Sequence, residues 1–235
     1  MKHTWIWCLL LFVMVAGCAR PRPVLVRMEC VVAGEVIATL RFAHENGRLS
    51  KAQLFDDQRQ WMFSALPIRS LGKLDEVTYS SSEKSQCASY SRPTRDSLVA
   101  SFTGRGDFQT NSMRLDERER VVERRLTFKN QSLRYEITTT WDNSLPERMD
   151  YVFINEYRGN AVTSGGTLVF HAEDGLVRRI EVQDETFNPD GEFHIVCHYV
   201  LSGDGPHDWS ETEFYLPSPL LLMSAWSVHV NQETL

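Results

Sequence analysis

From Val24 onward, apolar and polar residues alternate with a period of two, the pattern of β-strands that bury one face. In residues 133–141, for example, the odd positions are Leu, Tyr, Ile, Thr and Trp, and the even positions are polar. Asn46-Gly47, Asp174-Gly175 and Asp190-Gly191 separate such segments, and each dipeptide favours a tight hairpin turn. The pattern therefore predicts antiparallel strands joined by short turns.

Roughly a dozen segments carry this signal, and we expect two or three of the candidates to be loops. The candidates are residues 24–33, 35–43, 48–55, 59–66, 73–80, 97–103, 108–114, 119–129, 132–141, 149–158, 166–172, 175–185, 192–202 and 210–216. Helical periodicity is weak throughout, although 218–227 could form a short turn. The sequence predicts an all-β fold, either an antiparallel sandwich or a curved, partly open barrel of about 10–13 strands.

The domain organisation is simple in this interpretation. We expect a single all-β domain over residues 24–235, a length that suits such a fold. The Ser-, Pro- and Gly-rich stretch 80–112 is the best candidate for a long loop or a subdomain boundary. No repeat occurs at a fixed period, which argues against a propeller or a solenoid.

The first 17 residues depart from the period of two. Lys2 precedes an apolar run over residues 5–16, which is too short for a relaxed membrane span and is typical of a secretory signal peptide helix. The run ends in Val15-Ala16-Gly17-Cys18, which resembles the lipobox of bacterial lipoproteins. An uncleaved anchor helix, or an ordinary signal followed by a coincidental cysteine, is the alternative.

The lipobox resemblance implies a location. In that class the signal is removed before Cys18, the cysteine receives a diacylglyceryl group, and its new amine is acylated with a chain such as palmitate. Ala19, in place of Asp, implies sorting to the outer membrane in Gram-negative lipoproteins. Residues 18–23 would then be a short tether that holds a periplasm-facing domain close to its membrane.

Charge narrows the set of partners. The chain carries a formal charge of −6, and removal of the signal with Lys2 makes it one unit more negative. A mild acidic excess argues against nucleic acid, which calls for a basic face. It also argues against adsorption to anionic headgroups, and leaves the acyl chains on Cys18 as the membrane contact.

Three cysteines remain after the lipid site: Cys30, Cys87 and Cys197. Because the envelope is oxidising, we expect one disulfide and one free thiol. Cys30 and Cys197 lie on apolar faces of predicted strands, and Cys87 lies in the Ser-rich stretch. Cys30–Cys87 is the favoured pair, and Cys30–Cys197 is the alternative.

Metal and cofactor sites are not indicated. There is no Cys-x-x-Cys pair, and His194 and His198 lie about 13 Å apart if their segment is a strand, too far to share an ion.

Catalytic motifs are also missing. Residues 163–167 do not form a nucleophile elbow, His207-Asp208 lies in a turn-rich loop, and the paired acids fall at strand ends. The protein is therefore expected not to be an enzyme.

Two further patterns suggest contact surfaces. The mixed-sign run 116–125 predicts a cross-strand charge ladder, with a partner-docking patch as the alternative. The apolar segments 61–63 and 215–226 are expected to close the core, or else to form an exposed lip for lipid or a partner.

These observations predict an envelope lipoprotein that acts as a non-enzymatic binding or assembly module, with an envelope protein or a lipid as its partner. Residues that could contact the ligand or partner are Tyr135, Trp141, Phe193 and Trp226. A carrier of lipid or another hydrophobic ligand is one alternative, since a curved antiparallel sheet has the shape of lipoprotein-carrier half-barrels. A lysozyme-type inhibitor is another, because Cys30 followed by alternating strands resembles the small lysozyme-inhibitor lipoproteins. An envelope hydrolase is a third.

Overall fold

The computed structural model describes residues 22–46, 48–70, 73–82, 84–129, 132–157, 160–184, 188 and 190–202. The predicted signal helix, Cys18, the candidate strand 210–216 and Trp226 lie outside these residues. Among the described residues, no helix is long and apolar enough to cross a membrane. The last two residues of the expected tether, Arg22 and Pro23, already belong to the first strand.

The described residues form fourteen strands. They are β1 (Arg22–Val32), β2 (Glu35–Glu45), β3 (Arg48–Asp56), β4 (Trp61–Ser70), β5 (Lys73–Ser80), β6 (Ser85–Thr94), β7 (Ser97–Arg105), β8 (Phe108–Leu115), β9 (Val121–Phe128), β10 (Leu133–Asp142), β11 (Leu145–Tyr157), β12 (Asn160–Glu173), β13 (Leu176–Gln183) and β14 (His194–Ser202). The all-β, antiparallel class predicted from the alternation is confirmed.

The strands close into one barrel, in which each strand pairs with its neighbours in sequence and β1 pairs with β14. The closing seam runs from Arg22 opposite Ser202 to Val31 opposite His194. The expected sandwich or partly open barrel of 10–13 strands is therefore wrong in strand number and in closure. Closure depends on pairing the first and last strands, which lie far apart in sequence and leave no local signal.

The strand that the sequence did not reveal is β6, inside the stretch 80–112 that suggested a long loop. Its inward positions are Gln86, Ala88 and Tyr90, which are polar, small and amphipathic, so the apolar alternation is faint. Pairing with β5 and β7 defines the strand instead. Together, β6, β7 and β8 occupy most of this stretch, which is a continuous part of the barrel wall.

The meander arrangement gives the barrel two distinct ends. The terminal end contains Arg22 and Ser202, together with the links that follow the even-numbered strands. The far end contains the links that follow the odd-numbered strands, including the 184–193 segment between β13 and β14. Side chains near the start of an even strand and near the end of an odd strand therefore meet at the far end.

An apolar core lies on the inner faces of the strands. The largest fully buried side chains are Phe193, Leu25, Met28, Leu40, Leu49, Met149, Leu168, Ile180 and Ile195. Each such side chain contributes roughly 1.5–3 kcal/mol by its removal from water. Along β14, Ile195 and Cys197 are buried and His194 and His198 are half-buried, in agreement with the alternation expected for this strand.

The expected disulfide does not form, because Cys30, Cys87 and Cys197 are free thiols. Cys87 shares the outward face of β6 with exposed Ser85 and Ser89, whereas Cys30 is fully buried in the core, so the barrel wall separates them. Cys30 and Cys197 both point inward on neighbouring strands, but Cys30 lies opposite Ile195 and is diagonal to Cys197. Diagonal neighbours lie about 7–8 Å apart, beyond the span that a disulfide bridges without backbone movement.

The mixed-sign run 116–125 divides into a turn and part of a charge ladder. The carboxylate of Asp116 accepts hydrogen bonds from the backbone amides of Arg118 and Arg120, both at 2.9 Å, and so builds the β8–β9 turn. On the outer wall, Glu123 pairs with Arg114 across the strands at 2.5 Å. Arg124 departs from the ladder, since it points inward and is 3% exposed.

Candidate functional site

Seven aromatic rings form a continuous belt on the inner side of the barrel near its far end. They are Phe63, Tyr79, Phe102, Phe108, Phe128, Tyr135 and Phe153. Each ring contacts the next, and their centroids are between 4.9 and 6.0 Å apart. The belt crosses every strand from β4 to β11 except β6.

Strand order explains why these rings meet. Phe108 is the first residue of β8, Phe128 is the last of β9, and Tyr135 is the third of β10. In a meander, those three positions all lie at the far end. Register completes the alignment, since Phe108 lies directly opposite Phe128.

The belt is only partly covered. Tyr79 and Phe102 are 3% and 8% exposed, whereas the other five rings are half-buried. Most of the ring pairs are tilted, a geometry that places the positive edge of one ring near the negative face of the next. The far end therefore presents ordered aromatic surface that remains accessible at its rim.

A hollow of about 150 Å³ opens at this end beside the belt, lined by Phe63, Tyr79 and Phe108. Lys84 and Asp107 stand at its mouth and form an ion pair at 2.6 Å. The buried side chain of Gln86 supports one wall. Its amide donates to the carbonyl oxygen of Phe108 at 2.9 Å, and its oxygen accepts from the Phe108 N–H at 3.3 Å.

Two larger hollows lie on the outer wall. One, of about 660 Å³, runs over β7–β10 and is lined by Arg114, Glu123 and Arg125 among others. The other, of about 880 Å³, lies beside the β13–β14 segment. In the first, the Arg114–Glu123 pair holds the pKa of the Glu123 carboxyl below its usual range. Because these charges already neutralise each other and face water, this hollow has little left to offer a ligand.

The structure separates the residues that the sequence suggested as ligand contacts. Tyr135 belongs to the belt. Phe193 is 2% exposed at the far end, where the side chain of Asn188 accepts a hydrogen bond from its N–H at 2.8 Å. Trp141 lies near the terminal end, where its indole N–H donates to the carbonyl of Val121 at 2.9 Å. Six residues of strand, about 20 Å, separate Trp141 from Tyr135.

The other six rings of the belt were not identified from the sequence, although Phe63 lies in an apolar segment that was singled out. That segment divides, because Phe63 joins the belt and Trp61 remains 40% exposed at the far end. A usable signal did exist: aromatic residues recur beside every second turn, and a meander would gather them at one end. Because the sequence did not reveal β6, however, it could not show which turns lie at the same end of the barrel.

The described residues contain no cluster of three or more His, Cys, Asp or Glu side chains able to hold a metal ion. His198 instead hydrogen-bonds to Glu29 at 2.7 Å, and His171 pairs with Glu181 at 3.2 Å. Neither a protein-family model nor a curated protein matches this chain.

Proposed function

We propose that the protein is a non-enzymatic binding module of the bacterial cell envelope, anchored by lipid at Cys18, that holds an apolar chain against the aromatic belt. The observation that carries this proposal is the belt itself. Seven touching rings on seven strands place ordered apolar surface at one end of the barrel, and five of them are only half-buried. Partly exposed aromatic surface in a concave setting suits an apolar ligand.

Recognition through a free strand edge has less support. All fourteen described strands have partners on both sides, and the shortest pairing joins Arg179–Glu181 of β13 to His194–Val196 of β14. None of the described strands is therefore a free edge strand, the feature that strand addition uses. A lipid or other apolar molecule at the far end needs no such edge. The hydrophobic-ligand alternative from the sequence is therefore favoured over docking of an envelope protein by strand addition.

The envelope location rests on the lipobox resemblance, and the fold is compatible with it. The first strand begins at Arg22, only four residues beyond Cys18. Arg22 lies at the terminal end, so the anchor and the belt are at opposite ends of the barrel. In this arrangement the ligand enters from the side that faces away from the anchoring membrane.

Binding of the neutral apolar probe N-phenyl-1-naphthylamine to the mature protein tests the proposal. Phe128→Leu and Tyr135→Leu each remove one ring of the belt. Each is expected to weaken binding about three- to tenfold, the loss of affinity that corresponds to one aromatic contact. Phe55→Leu is the matched control. Phe55 is a half-buried ring on the outward-facing side of β3, stacked under Arg41 at 4.8 Å. No binding by the wild type, or equal weakening by Phe55→Leu, would overturn the proposal.

A further inference from the structure

Polar side chains on three strands point into the barrel, on the terminal-end side of the belt: Tyr90 on β6, Asn111 on β8 and Arg124 on β9. Asn111 is 0% exposed and Arg124 is 3% exposed. Their immediate neighbours in the wall are apolar, including Ala100 and Met113. This polar cluster is separate from the hydrogen bonds and ion pairs described so far.

Strand register places the three side chains close together. Tyr90 lies opposite Ala100, and Ala100 lies opposite Asn111, so Tyr90 and Asn111 stand on either side of one small residue. Asn111 lies opposite Leu126, two residues from Arg124, which makes Arg124 its diagonal neighbour. Diagonal positions lie about 7–8 Å apart, within reach of a long side chain.

The amide of Asn111 is the strongest indication of a ligand site. Neither its nitrogen nor its oxygen has a hydrogen-bond partner among the described residues, although the side chain is completely buried. Gln86, the other buried amide on this side of the barrel, is bonded at both of its polar atoms. Buried polar groups are normally satisfied, and an exception suggests a water molecule or a bound group that completes it.

The charge of the cluster indicates which chemical group would fit it. An arginine remains protonated inside a protein, and its planar guanidinium matches the oxygens of a carboxylate or a phosphate. Burial raises the pKa of Tyr90 to about 12, against the lowering effects of its hydrogen bond to Tyr79 and the charge of Arg124. The Tyr90 hydroxyl is therefore a neutral donor at physiological pH. An amide, a phenol and a guanidinium together favour an anionic acceptor.

Tyr79 connects the cluster to the belt. Its ring lies in the belt, 5.7 Å from both Phe63 and Phe102, and it also lines the hollow at the far end. Its hydroxyl lies 3.4 Å from the hydroxyl of Tyr90. A single side chain thus borders both the aromatic surface and the polar cluster.

We propose that Asn111, Arg124 and Tyr90 bind the anionic head of an acyl amphiphile whose chain lies along the aromatic belt. This inference rests on the proposed function, and it adds the chemical class of the ligand. The head is a carboxylate or a phosphate monoester. The hydrogen-bond donors are the guanidinium, the amide N–H₂ and the phenol, and the ligand supplies the acceptor oxygens.

Competition for the bound fluorescent probe tests the inference with three ligands that share one chain: oleate, oleoyl lysophosphatidate and oleyl alcohol. For the wild type, we expect at least one of the two anions to bind about tenfold or more tightly than the alcohol. Asn111→Leu and Arg124→Met should abolish that preference, because the affinity for the anions should fall to about that for the alcohol. Arg105→Met, which removes an exposed cation at the mouth of the hollow, is the matched control and should retain it.

The outcomes separate the two proposals. Equal binding of the alcohol and both anions would overturn the anionic site and leave the apolar-ligand function standing, whereas binding of none of the three would overturn both. A preference lost in Arg105→Met and kept in Asn111→Leu would place the charge recognition at the mouth and overturn the interior site. The tighter anion identifies the head as carboxylate or phosphate. Thermal melting checks folding, and Asn111→Leu decides the outcome if Arg124→Met does not fold.

Discussion

Two buried amides in this barrel show that local bonding, more than residue type, decides what a polar side chain does. Gln86 is 5% exposed and holds both backbone groups of Phe108. Asn111 is 0% exposed, and its amide has no partner among the described residues. The first amide therefore stabilises the fold, and the second costs stability in the absence of a ligand.

This contrast predicts opposite effects of similar substitutions. Asn111→Leu keeps the branched shape and removes an unsatisfied amide, so the free energy of unfolding should rise by about 1–3 kcal/mol. Gln86→Met leaves the Phe108 N–H and carbonyl unpaired, and should lower it by about 1–3 kcal/mol. Urea denaturation of the ligand-free protein measures both. A destabilised Asn111→Leu would show that the amide is satisfied in solution.

The surroundings of each residue also decide how the three thiols differ in pKa and accessibility. Burial raises the pKa of Cys30, and raises that of Cys197 to about 12. Cys87 faces outward, and its pKa is raised first by burial and then by the carboxylate of Glu76. A raised pKa means less thiolate at neutral pH, so each thiol reacts slowly there and faster as the pH rises.

Alkylation with iodoacetamide checks this assignment in the soluble Cys18→Ser form lacking residues 1–17. Cys87 should be the only one of the three thiols labelled under native conditions, at a rate that is still rising at pH 9. Glu76→Gln removes a negative charge beside the sulfur, which lowers the pKa of Cys87 and should speed labelling at pH 8. Native labelling of Cys30 or Cys197 at a similar rate, or a disulfide in non-reducing mass mapping, would contradict the free-thiol arrangement.

At the scale of elements, β12 passes unusually close to its neighbours at Gly165 and Gly166. A Cβ atom on Gly166 would lie 2.7 Å from the Asp184 side chain and from the carbonyl oxygen of Gln183. Tyr151 crosses the same place and donates a hydrogen bond to the buried carboxylate of Asp184. The glycine pair thus allows β11, β12 and the end of β13 to pack around that bond.

Gly166→Ala should therefore lower the free energy of unfolding by roughly 1–3 kcal/mol, since backbone and buried atoms must move to admit the methyl group. Gly34→Asn is the matched control. Gly34 has a φ of +86°, and a Cβ atom added there would have no other atom within 4 Å. Asn tolerates that left-handed conformation. Chemical denaturation should show the control within about 0.5 kcal/mol of the wild type. Equal losses in both variants would remove the packing explanation.

The elements also show where sequence patterns are informative. In β10 and β14, apolar side chains occupy the inward positions apart from Thr139, so the strands and their buried faces follow from the alternation. In β6 the inward residues are Gln86, Ala88 and Tyr90, and the strand exists because its neighbours pair with it. Local periodicity reports burial of apolar groups, and it weakens wherever the wall faces a polar interior.

At the scale of the whole molecule, the proposed lipid anchor at Cys18 and the direction of the strands together predict an orientation on the membrane. β1 begins at Arg22, four residues after the proposed anchor, and runs eleven residues to the far end. At about 3.3 Å per residue, and tilted as barrel strands are, it lifts the far end about 25–30 Å above the terminal end. The belt should therefore stand clear of the bilayer surface.

Depth-dependent quenching measures this orientation. A fluorophore on Arg118→Cys, in the β8–β9 turn at the terminal end, should be quenched by nitroxide lipids in vesicles that carry the acylated protein. The same fluorophore on Asp57→Cys, in the β3–β4 turn at the far end, should not. Both sites are exposed, and a Cys87→Ser background prevents other labelling. The Cys18→Ser form should show no quenching at either site, and stronger quenching at Asp57 would reverse the proposed orientation.

The sequence by itself determined the antiparallel all-β class, nearly all of the strands and the inward faces of those with strong alternation, because these depend on a local period of two. It also indicated the cross-strand charge pairs. Only the tertiary structure decided the closure of β1 on β14, the inclusion of β6, the belt, and the cluster of Tyr90, Asn111 and Arg124. Those features depend on register between strands, and register is set by pairing across the whole barrel and not by any one segment.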